Sequence, residues 1–417
     1  MIARVVGVFS IAFVLLFSYA ISLCCSAATA FAQEEAGATA IEENDASALS
    51  DGKSIFRFDT FGDEQLWTDV LRMQQAIATV SPETALKVGL KVDVQALPPS
   101  LLAALKAGKV DLTKPAVTVE LLRLNAVVGV IGKVNNFRRV SRLGITCALC
   151  HSTVDNSFAR GIGRRRDGWA NTDLNVGAIV ALSPALDDAL KAELRTWGPG
   201  KYDPRHHVFD GRRLRIVNTP SLPVVIPPAY GLKGVGFETY TGDGPISYWN
   251  SYVGVSQMGG HGTFRDRRIR VFISQTPDRV TPKLPALLAY QLSLEAPKPR
   301  DGSFNRSAAI RGERLFKGRA RCDTCHSGPT YTDVSSRRRG PLLHDADEVG
   351  ADPRYARRSA TGQYRTTPLR ALWQHPPYFH DGSARNLLEV VNHYNTVLKL
   401  SLTEGQKADL VEFLKSL

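Results

Sequence analysis

Cys147-Ala148-Leu149-Cys150-His151 and Cys322-Asp323-Thr324-Cys325-His326 are two complete C-x-x-C-H stretches, and the rest of the chain is read from them. Two thiols three residues apart can each add across one vinyl group of a single porphyrin. The adjoining histidine then lies beneath the iron as its fifth ligand. Zinc is the competing reading of paired cysteines. Zinc ribbons, however, space their pairs more closely than Cys150 and Cys322 and need no histidine after each pair. A thioredoxin-like redox pair needs neither the second copy nor the histidine. The spacing therefore points to two covalently bound haem c groups. Cys147, Cys150, Cys322 and Cys325 are the attachment points, and His151 and His326 the axial ligands.

The compartment agrees. Arg4 precedes an apolar run from Val8 to about Leu23, and small residues follow, ending in Ala30-Phe31-Ala32. This is the pattern of a signal peptide over residues 1–32, cleaved before Gln33, and implies export to the periplasm. The alternative, a retained anchor, needs a longer apolar run. No later stretch approaches the roughly twenty apolar residues of a spanning helix, so no membrane span is expected after signal removal. Of six cysteines, Cys24 and Cys25 leave with the signal, and the other four are all in the two motifs. None remains for a disulfide.

Lys and Arg number 52 against 40 Asp and Glu, with arginine clustered at 164–166, 265–270 and 337–339. An exported protein rarely meets nucleic acid, so none is expected as a partner. The excess arginine suits haem propionates, an acidic electron-transfer partner, or a plain solvated face.

A mature chain of this length suggests more than one domain. Residues 33–55 are acidic, Ala-rich and aperiodic, and read as a flexible leader. Residues 56–136 read as a helical extension, with helices at 64–80, 99–107 and 117–130 and neither Cys nor His. Residues 137–297 form the N-terminal haem domain, closing with a helix at 284–294. After a Pro-rich linker, residues 303–417 form a C-terminal cytochrome c domain. Its helix at 307–316 leads into the motif, and its last helix starts at Thr403 with Gln406 completing a capping box. The expected fold class is mainly α, with two tandem cytochrome c-like haem domains behind a helical extension. A faint internal repeat supports the tandem: Thr219-Pro220 and Thr367-Pro368 each follow a motif, and each is followed by an aromatic and an Asp-Gly.

The sixth ligand separates carrier from enzyme, because a closed iron only passes electrons while an open one meets oxygen or peroxide. The mature chain offers Met73 and Met258, and His206, His207, His261, His344, His375, His380 and His393.

Thr367-Pro368-Leu369-Arg370, Pro377-Tyr378-Phe379-His380-Asp381-Gly382-Ser383, Gly312-Glu313-Arg314-Leu315-Phe316 and Ser327-Gly328-Pro329 together resemble the signature of the bacterial di-haem cytochrome c peroxidase superfamily. That superfamily also includes the enzyme maturing the methylamine dehydrogenase cofactor and haem-dependent rubber oxygenases. The resemblance is specific over 305–417 and looser over 137–300. It implies a C-terminal relay haem and an N-terminal haem that meets the oxidant, hydrogen peroxide or O2. It also implies a redox partner protein, a small cytochrome or a cupredoxin, and a calcium ion whose ligands are not traceable in this sequence. Such peroxidases carry a Met fourteen residues after the histidine matched by His380. That position is Tyr394 here, similar to the cofactor-maturing branch, where a tyrosine ligates iron; His393 is the competing ligand.

At the first haem, Arg164 and Trp169 could wrap the porphyrin edge and hold a propionate. The spacing of Trp249 and Phe264 resembles a rubber-oxygenase pair, an inter-haem tryptophan and a phenylalanine over the oxygen-binding iron. The same residues also read as core aromatics. Met258 or His261 could close this iron. Glu238, Asp243 and His261 are candidates for the acid–base group. Three functions follow: peroxide reduction, oxidative modification of a bulky substrate, and electron carriage alone.

Overall fold

The computed structural model describes residues 46–334 and 342–417. The signal segment, most of the leader and Arg337 to Arg339 lie outside the described residues. Helices dominate, and the strands among the described residues form seven two-stranded sheets.

The C-terminal unit follows the expected plan. Asn305 accepts a hydrogen bond from Ala308 N and starts the helix Arg306–Lys317. The helix Glu404–Ser416 starts at Thr403, with both bonds of the capping box in place. Such a cap stabilises a helix by about 1 kcal/mol. The two helices touch at Gly312, where an added Cβ would sit 2.0 Å from Asp409 O, so only glycine permits this approach. Phe316, Leu372, Leu387, Val391, Leu410, Phe413 and Leu414 form the small core behind the second motif.

Residues 56–136 and the residues around the first motif share a core. Leu66, Trp67, Leu71, Leu122, Leu143, Leu149, Leu174 and Phe209 pack in one cluster. The helix expected over 64–80 is broken. A π-helical segment, Gln65–Val70, is followed by Arg72 at φ 54 and a separate helix Met73–Ile77. Tertiary contacts override the 3.6-residue period here. Thr68 Oγ1 donates to Leu143 O and accepts from Leu143 N. The wide turn thereby buries Leu66, Trp67 and Leu71 together. The helix expected to reach residue 130 ends at Arg123, and β-branched Val130–Val134 pairs instead with Val140–Ile145.

From residue 46 onward the expected flexible leader is helical. Ala46–Phe58 lies along Leu284–Ser293, with Phe56 fully buried edge-on to Tyr290 at 5.6 Å. A composition reading missed it because Phe56 and the close approach at Gly52 are tertiary signals.

Buried ion pairs join the two halves. Arg365 Nη1 meets Glu238 Oε2 at 2.9 Å, Arg358 Nη1 meets Asp203 Oδ2 at 3.2 Å, and Arg205 pairs with Asp243, which accepts Ala360 N at 3.0 Å. Val225 N also donates to His380 O at 2.7 Å.

Candidate haem cavity

Both motifs open on one cavity of about 560 Å³. The first motif follows the strand Val140–Ile145 and turns into the short helix Ala148–His151. Gly129, at φ 76, lets the chain pass so close to Leu149 that a Cβ there would clash with its backbone. Gly168 N and Asn171 N donate to His151 O and Cys150 O, tying the 161–175 loop to the motif. His151 Nδ1 donates to Pro227 O at 3.1 Å, which leaves Nε2 as the basic nitrogen. Burial holds this imidazole neutral, down to about 4, and pushes the Cys147 and Cys150 thiols up to about 12.

The second motif repeats the device. Arg321, at φ 49, leads into the 3₁₀ turn Cys322–Thr324, and His326 Nδ1 donates to Tyr331 O at 2.9 Å. Burial pushes the Cys322 thiol up to about 11. Two histidines, each with Nδ1 fixed to a carbonyl and each beside two cysteines on a shared apolar cavity, fit two c-type haems. The walls also suit propionates. Arg365 Nε and Arg370 Nη2 are buried without a hydrogen-bond partner among the described residues, and both arginines line the cavity.

Tyr394 and His393 are both on the helix Leu387–Val397, and both line the cavity. His393 Nε2 donates to Val349 O at 2.9 Å. The Tyr394 hydroxyl has no hydrogen bond among the described residues. Burial, with Cys325 and Cys322 nearby, pushes it up to about 12. Trp249 and Met258 also line the cavity. Trp249 Nε1 donates to Glu238 O at 3.1 Å, and Trp67 Nε1 to Met258 O at 2.9 Å.

Four other candidate site residues fall elsewhere. Phe264 packs on Tyr248 and Tyr252 at 5.4 and 5.2 Å, outside the cavity wall, because the chain reverses after Met258 and its strand turns this ring into the core. His261 bonds Pro277 O through Nδ1 at the protein's edge. Arg164 is exposed, and Trp169 packs edge-on to Tyr230 and Trp373, neither of the two reaching the cavity wall. Of the acid–base candidates, Glu238 lines the cavity but is paired with Arg365, and Asp243 is paired with Arg205.

Two polar side chains near the first motif, Tyr202 and Gln257, had no sequence signal, and both meet His207. Tyr202 Oη donates to Gln257 Oε1 at 2.8 Å and lies 3.1 Å from His207 Nε2, while Gln257 Nε2 donates to His207 O at 2.9 Å. All three line the cavity, and Cys150 is among the groups that act on Tyr202. Burial holds His207 down to about 3. Among the described residues, the one cluster with metal-ligand geometry is Cys325, Asp333 and His344. It contains a thiol of the second C-x-x-C-H motif and lacks the oxygen-only donor set of a calcium site.

The geometry fits a two-haem c-type protein, with both motifs opening on one connected interior. No family model matches the chain. It is 33% identical over 153 residues to methylamine utilization protein MauG of Methylorubrum extorquens, covering 32% of this chain and 42% of the relative. It is 27% identical over 190 residues to a cytochrome-c peroxidase of Denitromonas iodatirespirans, covering 33% and 50%. The cytochrome c551 peroxidase of Nitrosomonas europaea is 28% identical over 170 residues, covering 37% and 49%. The chain thus spans half or less of the length of these curated relatives. These matches make the chain similar, over part of its length, to members of the di-haem cytochrome c peroxidase superfamily. A solved MauG-like protein associated with microbial copper homeostasis overlaps 48% of this chain and 75% of its own, at 19% identity and a TM-score of 0.33, a likeness too low to carry an argument. No described helix is long and apolar enough to cross a membrane.

Proposed function

We propose that this chain is an exported di-haem oxidoreductase that reduces hydrogen peroxide at the Cys147 motif and takes electrons through the Cys322 motif. The observation that carries the reading is the single cavity shared by two motifs with unlike walls. Bound haem would supply a redox-active iron at each motif. Cys147 and Cys150 with His151, and Cys322 and Cys325 with His326, would hold the two groups. Arg365 and Arg370 would hold propionates. Tyr394 would close the second iron, since its hydroxyl is free while His393 is bonded to Val349 O.

At the first site the chain's own work is proton handling. Tyr202, His207 and Gln257 form a hydrogen-bonded set that can accept a proton at one atom while passing one at another. Burial keeps His207 neutral at working pH, and its Nε2–H can donate to the Tyr202 oxygen while Tyr202 donates to Gln257. Leu66, Trp67 and Leu71 keep that end apolar. Trp249 lies in the wall with Glu238 and Arg365 bridging to the other half, which suits a relay residue between the motifs. The oxygenase reading loses its phenylalanine, because Phe264 faces the core, and keeps Tyr394 and Trp249. The donor would be a small cytochrome or cupredoxin in the periplasm.

The test is a titration of the fully reduced protein with hydrogen peroxide. The expected result is oxidation of two haems per peroxide, with cyanide or carbon monoxide binding at one iron. A spectrum unmoved by peroxide, cyanide and carbon monoxide would make the protein a carrier.

A further inference from the structure

The hairpin formed by Thr263–Asp266 and Val271–Ser274 has two faces with different contents. Its antiparallel register sets Phe264 opposite Ile273 and Arg265 opposite Phe272. Strand alternation then sends Phe264, Asp266, Val271 and Ile273 inward, where all four are buried, and Arg265 and Phe272 outward. Phe272 is 61% exposed. Arg265, Arg267 and Arg270 are exposed and make no ion pair among the described residues. Arg268 is spoken for: it pairs with Asp266 at 2.7 Å and lies over the Tyr248 ring.

The inner face continues the same line toward the cofactors. Phe264 touches Tyr248 at 5.4 Å between centroids, Tyr248 touches Trp249 at 5.9 Å, and Trp249 is in the cavity wall. An uncompensated cationic surface with one exposed aromatic thus sits directly above a column of rings that ends beside the haem cavity.

We propose that the outer face of this hairpin is a docking site for a small acidic redox protein. Arginine and phenylalanine are among the residues enriched at protein–protein interfaces, and here they stand side by side on a flat strand pair. The surplus positive charge selects an acidic partner and speeds the encounter. The column beneath tells a docking site for electron transfer from a general adhesive patch. The proposal rests on the oxidoreductase reading above, and gives electrons a second entry, at Trp249 between the motifs, beside the one through the Cys322 motif. Each encounter moves one electron out of the partner's reduced metal centre. Two encounters and two protons reduce one hydrogen peroxide to two waters.

The test compares the holoprotein with its Arg265→Glu/Arg267→Glu/Arg270→Glu variant and with Phe272→Ser. Each is first checked for two bound haems with unchanged spectra. Binding is measured by titration with an acidic cupredoxin in its redox-silent zinc form, a readout independent of turnover. Electron transfer is then followed by stopped flow with the reduced copper form. The expected result is a loss of affinity and of second-order rate of at least about tenfold at low salt in the charge-reversed variant, with a flattened salt dependence. Phe272→Ser should lose affinity while keeping the salt dependence. Unchanged affinity in the charge-reversed variant overturns the proposal. So does equal wild-type affinity for a basic cytochrome, or loss of binding to anionic vesicles alone. A neutral small-molecule donor separates this from the parent reading. If wild type turns over peroxide with neither donor, peroxide reduction fails, and docking is judged on the zinc-protein titration alone.

Discussion

At the first motif, His151 is held by Pro227 O, both thiols are buried deeply enough to be pushed up to about 12, and Tyr202, His207 and Gln257 face the cavity. At the second, His326 is held by Tyr331 O, Cys322 is pushed up only to about 11, and Tyr394 lines the cavity with a hydroxyl that is unbonded among the described residues. The proximal halves are the same device built twice. The difference lies in the walls opposite. One brings a hydrogen-bonded polar set and the other a single tyrosine. Two motifs of one C-x-x-C-H pattern thus acquire unlike walls through residues that lie far from them in sequence.

The largest expected effect breaks the comparison at its base. Cys147→Ala/Cys150→Ala should halve the covalently bound haem, read as pyridine haemochrome per chain, and leave the second haem's spectrum intact. Loss of both haems would mean that the cavity assembles as one unit. Next, Glu238→Gln leaves Arg365 buried without its carboxylate and should cost about 3 kcal/mol in denaturant unfolding, since this pair spans the halves.

The first site should also carry its own pH dependence. His207 is held down to about 3 against an ordinary value of 6.5, so between these values the unfolded chain binds a proton that the folded one refuses. Stability present above pH 6.5 should therefore fall as pH drops toward 3, and His207→Gln should flatten that slope in thermal unfolding. The smallest effect belongs to the second site. Thr403→Ala removes the capping box under the 404–416 helix and should cost about 1 kcal/mol, leaving the first haem's spectrum unchanged.

The sequence made legible what depends on local order: the two motifs, the Thr403 capping box, and the helices Arg306–Lys317 and Leu284–Ser293. What it hid depends on tertiary register. Tyr202, His207 and Gln257 meet only because the chain folds back after the first motif. Phe264 keeps its spacing from Trp249 and yet leaves the cavity, because Gly259 to Gly262 reverse the chain between them. Gln65–Val70 winds as a π-helix because Thr68 bonds Leu143, a partner no period announces. Arg370 stood in a quoted motif, but its orphaned nitrogen appears only when burial is known.

The inequality of the two sites is the central claim, and low-temperature electron paramagnetic resonance of the oxidised holoprotein tests it most directly, alongside Tyr394→Phe. The account predicts one high-spin and one low-spin ferric signal, with Tyr394→Phe altering the low-spin signal alone. Two low-spin signals, or a Tyr394→Phe variant with no change in either, would contradict it.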